Sequence, residues 1–205
     1  MDFYKNIKYF ENGINEFKNK NYEQAEKEFE KCKELFLNDK DNSIYYKEIG
    51  NPYLAFMYYY GVGRNVDYEK AWKESHYTRR GLGHNADFWE EHVSSDIISN
   101  FIIAKMYFNA NYVEKNIDVA FKHFKLIADK WKIEEEISND YLFNIILNDY
   151  NDIDAKYLLA LIYLYKAKYK KDNAYLEKVQ NIFKNLDSNY EHTLLRDLEK
   201  QVKEL

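Results

Sequence analysis

The sequence predicts an all-α chain built from antiparallel helix hairpins, and three observations predict it. Only 6 Gly and 1 Pro occur in 205 residues, too few turn formers for a sandwich or barrel of many short strands. Small and apolar residues recur at helical steps, as in Tyr9, Gly13 and Phe17. A small residue, a Tyr three positions later and a capping Asp or Asn nine after that also occur together three times. These sets are Ala55/Tyr58/Asp67, Ala104/Tyr107/Asn116 and Ala160/Tyr163/Asp172. Hairpins repeated in this way stack into a solenoid, read here as one helical domain over residues 1–205.

The first hairpin is expected over about 3–37. Tyr9, Gly13 and Phe17 share one face of its first helix, and Ala25, Phe29 and Cys32 continue a stripe on its second. Gly13 and Ala25 are small where the helices must approach, with Tyr9 and Phe29 filling the surrounding volume. Asn21 precedes Tyr22-Glu23-Gln24 and can cap the second helix.

The second hairpin, 51–80, opens at Asn51-Pro52. Asn can cap, and Pro suits the first turn because no amide proton is needed there. Gly61-Val62-Gly63 breaks its first helix, Asp67 caps the second, and Ala71 begins the second apolar side. The third hairpin, 96–131, keeps the spacing with Ala110 in place of Gly61 and Ala120 in place of Ala71. The fourth, 154–186, places Lys166 at the break, Asp172 at the cap and Leu176 at the last small position. Steps of 49 and 56 residues between Ala55, Ala104 and Ala160 leave surplus around 84–93 and 133–150. Phe88-Trp89 and Leu142-Phe143-Ile146-Leu147 predict inserted helical turns there. Residues 190–205 form an amphipathic capping helix with Leu195, Leu198, Val202 and Leu205 on one side.

The stretch Leu54 to Ala71 closely resembles a Sel1-like repeat, a relative of the tetratricopeptide unit with a longer loop between its helices. Tyr58, Gly61, Gly63, Asp67 and Ala71 match that pattern directly, Ala55 replaces the usual glycine, and Gly81 or Gly83 lies near the closing glycine. The first hairpin resembles a tetratricopeptide unit at Tyr9, Gly13, Ala25, Phe29 and Cys32, but Asn12 and Glu16 stand where that family has leucine and tyrosine. The resemblance implies a right-handed α-solenoid of about four hairpins.

Charge and composition narrow the function. The net charge of −5 does not suit a general nucleic-acid binder. Heavy use of Lys, Asn, Ile and Tyr points to an A/T-rich genome, so part of the excess of 21 Tyr reflects codon usage. Cys32 is the only cysteine, which fits a reducing compartment and a core position. Met1-Asp2-Phe3-Tyr4-Lys5 lacks the pattern of a signal peptide, and no apolar stretch approaches a membrane span, so the cytoplasm is expected.

Gly61-Val62-Gly63 lacks the lysine continuation and preceding strand of a phosphate loop. If residues 85–93 are helical, His84, Asp87 and Glu91 share a face beside His92. That set could bind a divalent metal in a hydrolase, against the plainer reading of a solvated face. Glu134 to Glu136 and Lys166 to Lys171 read as exposed helix faces.

In tetratricopeptide-like arrays the first helix of each unit lines the concave surface. The inward positions would be Ile14, Phe17 and Lys18; Phe56, Tyr59 and Tyr60; Lys105, Phe108 and Asn109; and Leu161, Leu164 and Tyr165. Such a groove suits an extended or helical peptide, unless inserted helices or the cap cover it and make it core. The expected function is a non-catalytic adaptor for a protein or peptide, monomeric and without cofactor, nucleic acid or membrane. A bacterial immunity protein steering a basic toxin to the acidic surface is the alternative.

Overall fold

The computed structural model describes residues 3–38, 51–77, 97–133, 141–186 and 192–203, and all regular structure among them is helical. The helices are α1 (Phe3–Lys18), α2 (Tyr22–Asn38), α3 (Asn51–Tyr60), α4 (Tyr68–Tyr77) and α5 (Ile97–Asn109), then α6 (Ile117–Trp131), α7 (Tyr141–Asn148), α8 (Ile153–Lys170), α9 (Ala174–Lys184) and α10 (Thr193–Lys203). They fall into two compact units, Met1–Asn116 and Ile117–Leu205. Among the described residues no helix is long and apolar enough to cross a membrane. The expected all-α class is therefore observed, and α7 lies in the second surplus segment, where extra helical turns were expected. The first surplus segment, 84–93, lies outside the described residues.

In the first unit, α1 and α2 form a hairpin in which Gly13 faces Phe29. A Cβ built there would stand 2.5 Å from the Phe29 ring, so only hydrogen fits. Phe29 in turn stacks on Tyr53 of α3 at 4.8 Å between ring centroids, and Phe17 meets Tyr53 edge-on at 5.4 Å. Edge-to-face and offset geometry adds to the burial of these rings, each worth about 1.5–3 kcal/mol. Leu54 through Tyr59 are all buried, because α3 has α2 on one side and α4 and α5 on the other.

One backbone turn occurs twice in this unit. After α3, the Val62 N–H donates to the Met57 carbonyl at 3.0 Å and the Asp67 N–H to the Tyr58 carbonyl at 2.9 Å. After α5, the Asn111 N–H donates to Met106 and the Asn116 N–H to Tyr107, both at 3.0 Å. Gly61 and Gly63 have φ of 69° and 71°, and Ala110 and Tyr112 take 58° and 69° at the matching places. The sequence spacing thus corresponds to a shared turn even where the glycines are gone. Asp67 caps α4 as expected, its Oδ1 accepting the Lys70 N–H at 2.9 Å.

Two local expectations need correction. The Asn21 side chain does not cap α2 but donates to Glu16 at 2.8 Å, while its carbonyl accepts the Ala25 N–H. The fourth break does not fall at Lys166: α8 continues to Lys170 and closes at Lys171, with φ of 54°. Lys166 is therefore buried against α9, its ammonium 5.8 Å from the Tyr175 ring centre, rather than on an exposed face. Asp172 still serves the next helix, accepting the Ala174 N–H at 2.9 Å.

The second unit is built around α8, which starts with Asp152 Oδ1 accepting the N–H groups of Asp154 and Ala155. Helix α9 returns antiparallel, bringing Tyr175 to Tyr163. Phe124 meets Tyr157 and Lys132 sits over Tyr169, so α6 and α8 run in the same direction. Trp131 packs edge-on against Phe143 of α7 at 5.5 Å. Leu195, Leu198 and Val202 of α10 are buried as the sequence stripe predicts, and Leu205 lies outside the described residues. Ala55, Ala71, Ala104, Ala120 and Ala160 are each fully buried.

Gly63→Ala should destabilise the chain by about 2–4 kcal/mol, because its Cβ would fall 2.2 Å from Tyr22 Cβ in a left-handed backbone. Gly61→Ala, whose nearest neighbours would be 3.1 Å away, should cost about 1–2 kcal/mol. Urea unfolding of both variants checks the order, and equal losses would contradict it.

Glu74 of α4 accepts from Lys33 of α2 at 2.9 Å, but its other oxygen has no hydrogen-bond partner. Burial outweighs the Lys33 attraction and holds this carboxyl above its usual range. The folded chain therefore binds a proton more readily there than the unfolded chain, so this group's stability contribution falls as pH rises above about 4.5 through the raised pKa. Glu74→Gln removes that loss, and its stability advantage over wild type should grow between pH 4 and pH 7 in parallel urea titrations. A constant difference would contradict the assignment.

Candidate functional site

The structure connects much of the predicted groove face in the first unit, but as packing. Phe17 touches Phe56, Phe56 touches Tyr60, and Tyr60 touches Tyr59, with ring centroids 5.9, 5.0 and 5.0 Å apart. The Lys105 ammonium sits 5.7, 5.9 and 5.7 Å from the Tyr59, Tyr60 and Phe101 ring centres, a cation–π arrangement on a buried side chain. Asn111 donates to the Tyr59 hydroxyl at 2.9 Å. Phe17, Phe56, Tyr59, Lys105 and Phe108 are buried. Ile14 and Tyr60 are half-buried, and Lys18 and Asn109 are exposed.

The remaining predicted residues, Leu161, Leu164 and Tyr165, lie in the second unit and line an open cleft. Helix α8 forms its floor and α6 and α10 its walls, enclosing about 380 Å³. Residues 157, 161, 164, 165 and 168 follow helical steps, so one face of α8 meets the cleft. Buried Tyr157, Leu161 and Leu164 make the floor apolar, and buried Leu198 continues it onto the α10 wall. Phe121 and Lys125 from α6, Lys168 at the end of α8, and Asp197 and Gln201 from α10 form an exposed rim, with Tyr165 and Leu194 half-buried between. Burial first, and then the Asp129 charge, raises the Tyr165 phenol above its usual value, so at neutral pH it is a hydrogen-bond donor. Tyr157 is raised in the same direction, first by burial and then by Tyr165 and Asp197.

A buried polar knot fixes the wall formed by α10. His192 Nε2 lies 2.9 Å from Asp154 Oδ1, and His192 Nδ1 accepts the Leu195 N–H at 3.1 Å. With Nδ1 accepting, Nε2 carries the proton and donates to the carboxylate. The imidazole therefore caps α10 while tying it to the first turn of α8, and its ring lies 5.3 Å from Tyr157. Neither role is legible from a single His outside any repeat register.

Elsewhere the first unit carries a partly buried polar cluster. Tyr58 donates to Glu26 at 3.1 Å, and Arg64 pairs with Glu26 and lies 4.0 Å over the Tyr58 ring. Burial and then the Glu26 charge push the Tyr58 phenol up to about 12. The cluster joins α2 to α3 and the turn that follows it. Cys32 is buried, which pushes its thiol up to about 12 and leaves it protonated at neutral pH. His84, Asp87, Glu91 and His92 lie outside the described residues, and among those described no three His, Cys, Asp or Glu side chains converge to hold a metal ion.

Of the residues that line this cleft, sequence spacing named Leu161, Leu164 and Tyr165 and missed Phe121, Lys125, Tyr157, Lys168, Leu194, Asp197, Leu198 and Gln201. Phe121 and Lys125 are four apart on α6, off the face of buried Ala120, Phe124, Ile127 and Ala128. An aromatic on a helix's polar side was the available signal.

His192→Ala should cost about 2–4 kcal/mol, since it removes a helix cap and leaves the Asp154 carboxylate buried without that donor. Lys200→Ala, which breaks only the exposed pair with Asp197, should change stability by less than about 1 kcal/mol. Comparable losses in thermal unfolding would refute the knot.

No protein-family model, curated protein or solved structure matches this chain.

Proposed function

We propose that this chain is a non-catalytic binding protein, a Sel1-like or tetratricopeptide-like right-handed solenoid that holds a segment of another polypeptide in the cleft between α6, α8 and α10. The cleft carries the reading. Its apolar, buried floor and charged, exposed rim have the anatomy of a recognition site. Leu161, Leu164 and Tyr165, chosen from repeat geometry, are among its lining residues. The turn shared by residues 57–67 and 106–116 supports the repeat reading, because its hydrogen bonds and left-handed positions recur.

Peptides selected from a display library on the purified chain should compete for one site. Phe121→Ala alters the exposed rim and should weaken them at least about tenfold, the loss of an aromatic anchor. Amide shifts on peptide addition should concentrate on α6, α8 and α10. Unchanged affinity in the variant, with shifts elsewhere, would remove the cleft from consideration.

A further inference from the structure

We infer that the segment held in this cleft is an amphipathic helix carrying acidic side chains two to three turns apart on either side of its apolar anchors. The inference rests on the cleft being the binding site. Its first support is charge. The whole chain carries −5, yet Lys125 and Lys168 stand on the rim, exposed. Among the described residues neither is held in an ion pair: the Lys125 ammonium lies 6.0 Å from the Phe121 ring centre, and the carboxylate on the opposite wall, Asp197, is engaged by Lys200 at 3.7 Å. Two cations above an apolar floor complement a ligand with apolar anchors and carboxylates.

The second support is register. Because α6 and α8 run the same way, with Phe124 level with Tyr157 and Lys132 level with Tyr169, Lys125 is level with an early turn of α8. Lys168 is in its last turn, roughly 10–15 Å farther along at 1.5 Å per residue. That interval corresponds to about seven to ten residues of a helical ligand. The third support is shape. The lining residues of all three helices recur at steps of three and four, which leaves ridges and grooves that accept another helix.

Three fluorescein-labelled, helix-stabilised synthetic peptides test this. Each carries Leu at two central positions four apart, with Glu, Gln or Lys at two flanking positions about eight apart. Fluorescence anisotropy with the purified full chain should show the Glu peptide binding at least about tenfold tighter than the Lys peptide, with the gap narrowing at high salt. Lys125→Glu/Lys168→Glu, two exposed changes checked for helicity by circular dichroism, should reverse that order. Phe121→Ala should weaken all three peptides alike. Equal binding of the three peptides that is lost in Phe121→Ala would overturn the acidic ligand while leaving the cleft reading intact. No peptide binding, with stoichiometric dodecanoate binding sensitive to Phe121→Ala, would overturn both in favour of a small amphiphile.

Discussion

Where Gly63 faces Tyr22 there is no room for a single methyl group, and the first unit is organised around that contact. The loop leaving α3 lies directly against the start of α2, so the two hairpins are joined backbone to side chain rather than through long, adaptable groups. Tyr22 in turn meets Phe17 edge-on, and Phe17 meets Tyr53 and Phe56. Arg64, held by Glu26 over the Tyr58 ring, secures the same loop. Gly13 plays the matching part within the first hairpin, where Phe29 takes the volume a side chain would fill.

Much of this was legible because small residues leave a strong trace in sequence. Ala55, Ala71, Ala104, Ala120 and Ala160 are all fully buried, and Asp67 caps as its position suggested. The fourth hairpin departs at Lys166, where α8 runs on to Lys170 and a lysine read as solvated turns inward onto Tyr175. At Asn21 it is the backbone carbonyl that accepts the Ala25 N–H, while the side-chain amide donates to Glu16.

The candidate site was legible only from one side. Periodicity shows which residues share a face of one helix, so it found Leu161, Leu164 and Tyr165 together. Which other helices stand beside that face depends on chain direction after α7 and on the anchoring of α10, and both are decided by contacts distant in sequence. The His192–Asp154 pair, 38 residues apart, is the clearest instance. In the first unit the same periodicity identified residues that do converge, with Tyr59, Tyr60 and Phe101 around Lys105.

Ala110 and Tyr112 hold by constraint a backbone shape that Gly61 and Gly63 adopt without steric penalty. Left-handed geometry costs a residue with a Cβ about 1–2 kcal/mol, so the second copy of the turn is tensioned relative to the first. Transient opening should therefore start at Asn111 and Asn116 before it reaches Val62 and Asp67, and their amides should exchange with solvent in that order. On that order the end of the first unit would yield first, and its middle would act as the latch.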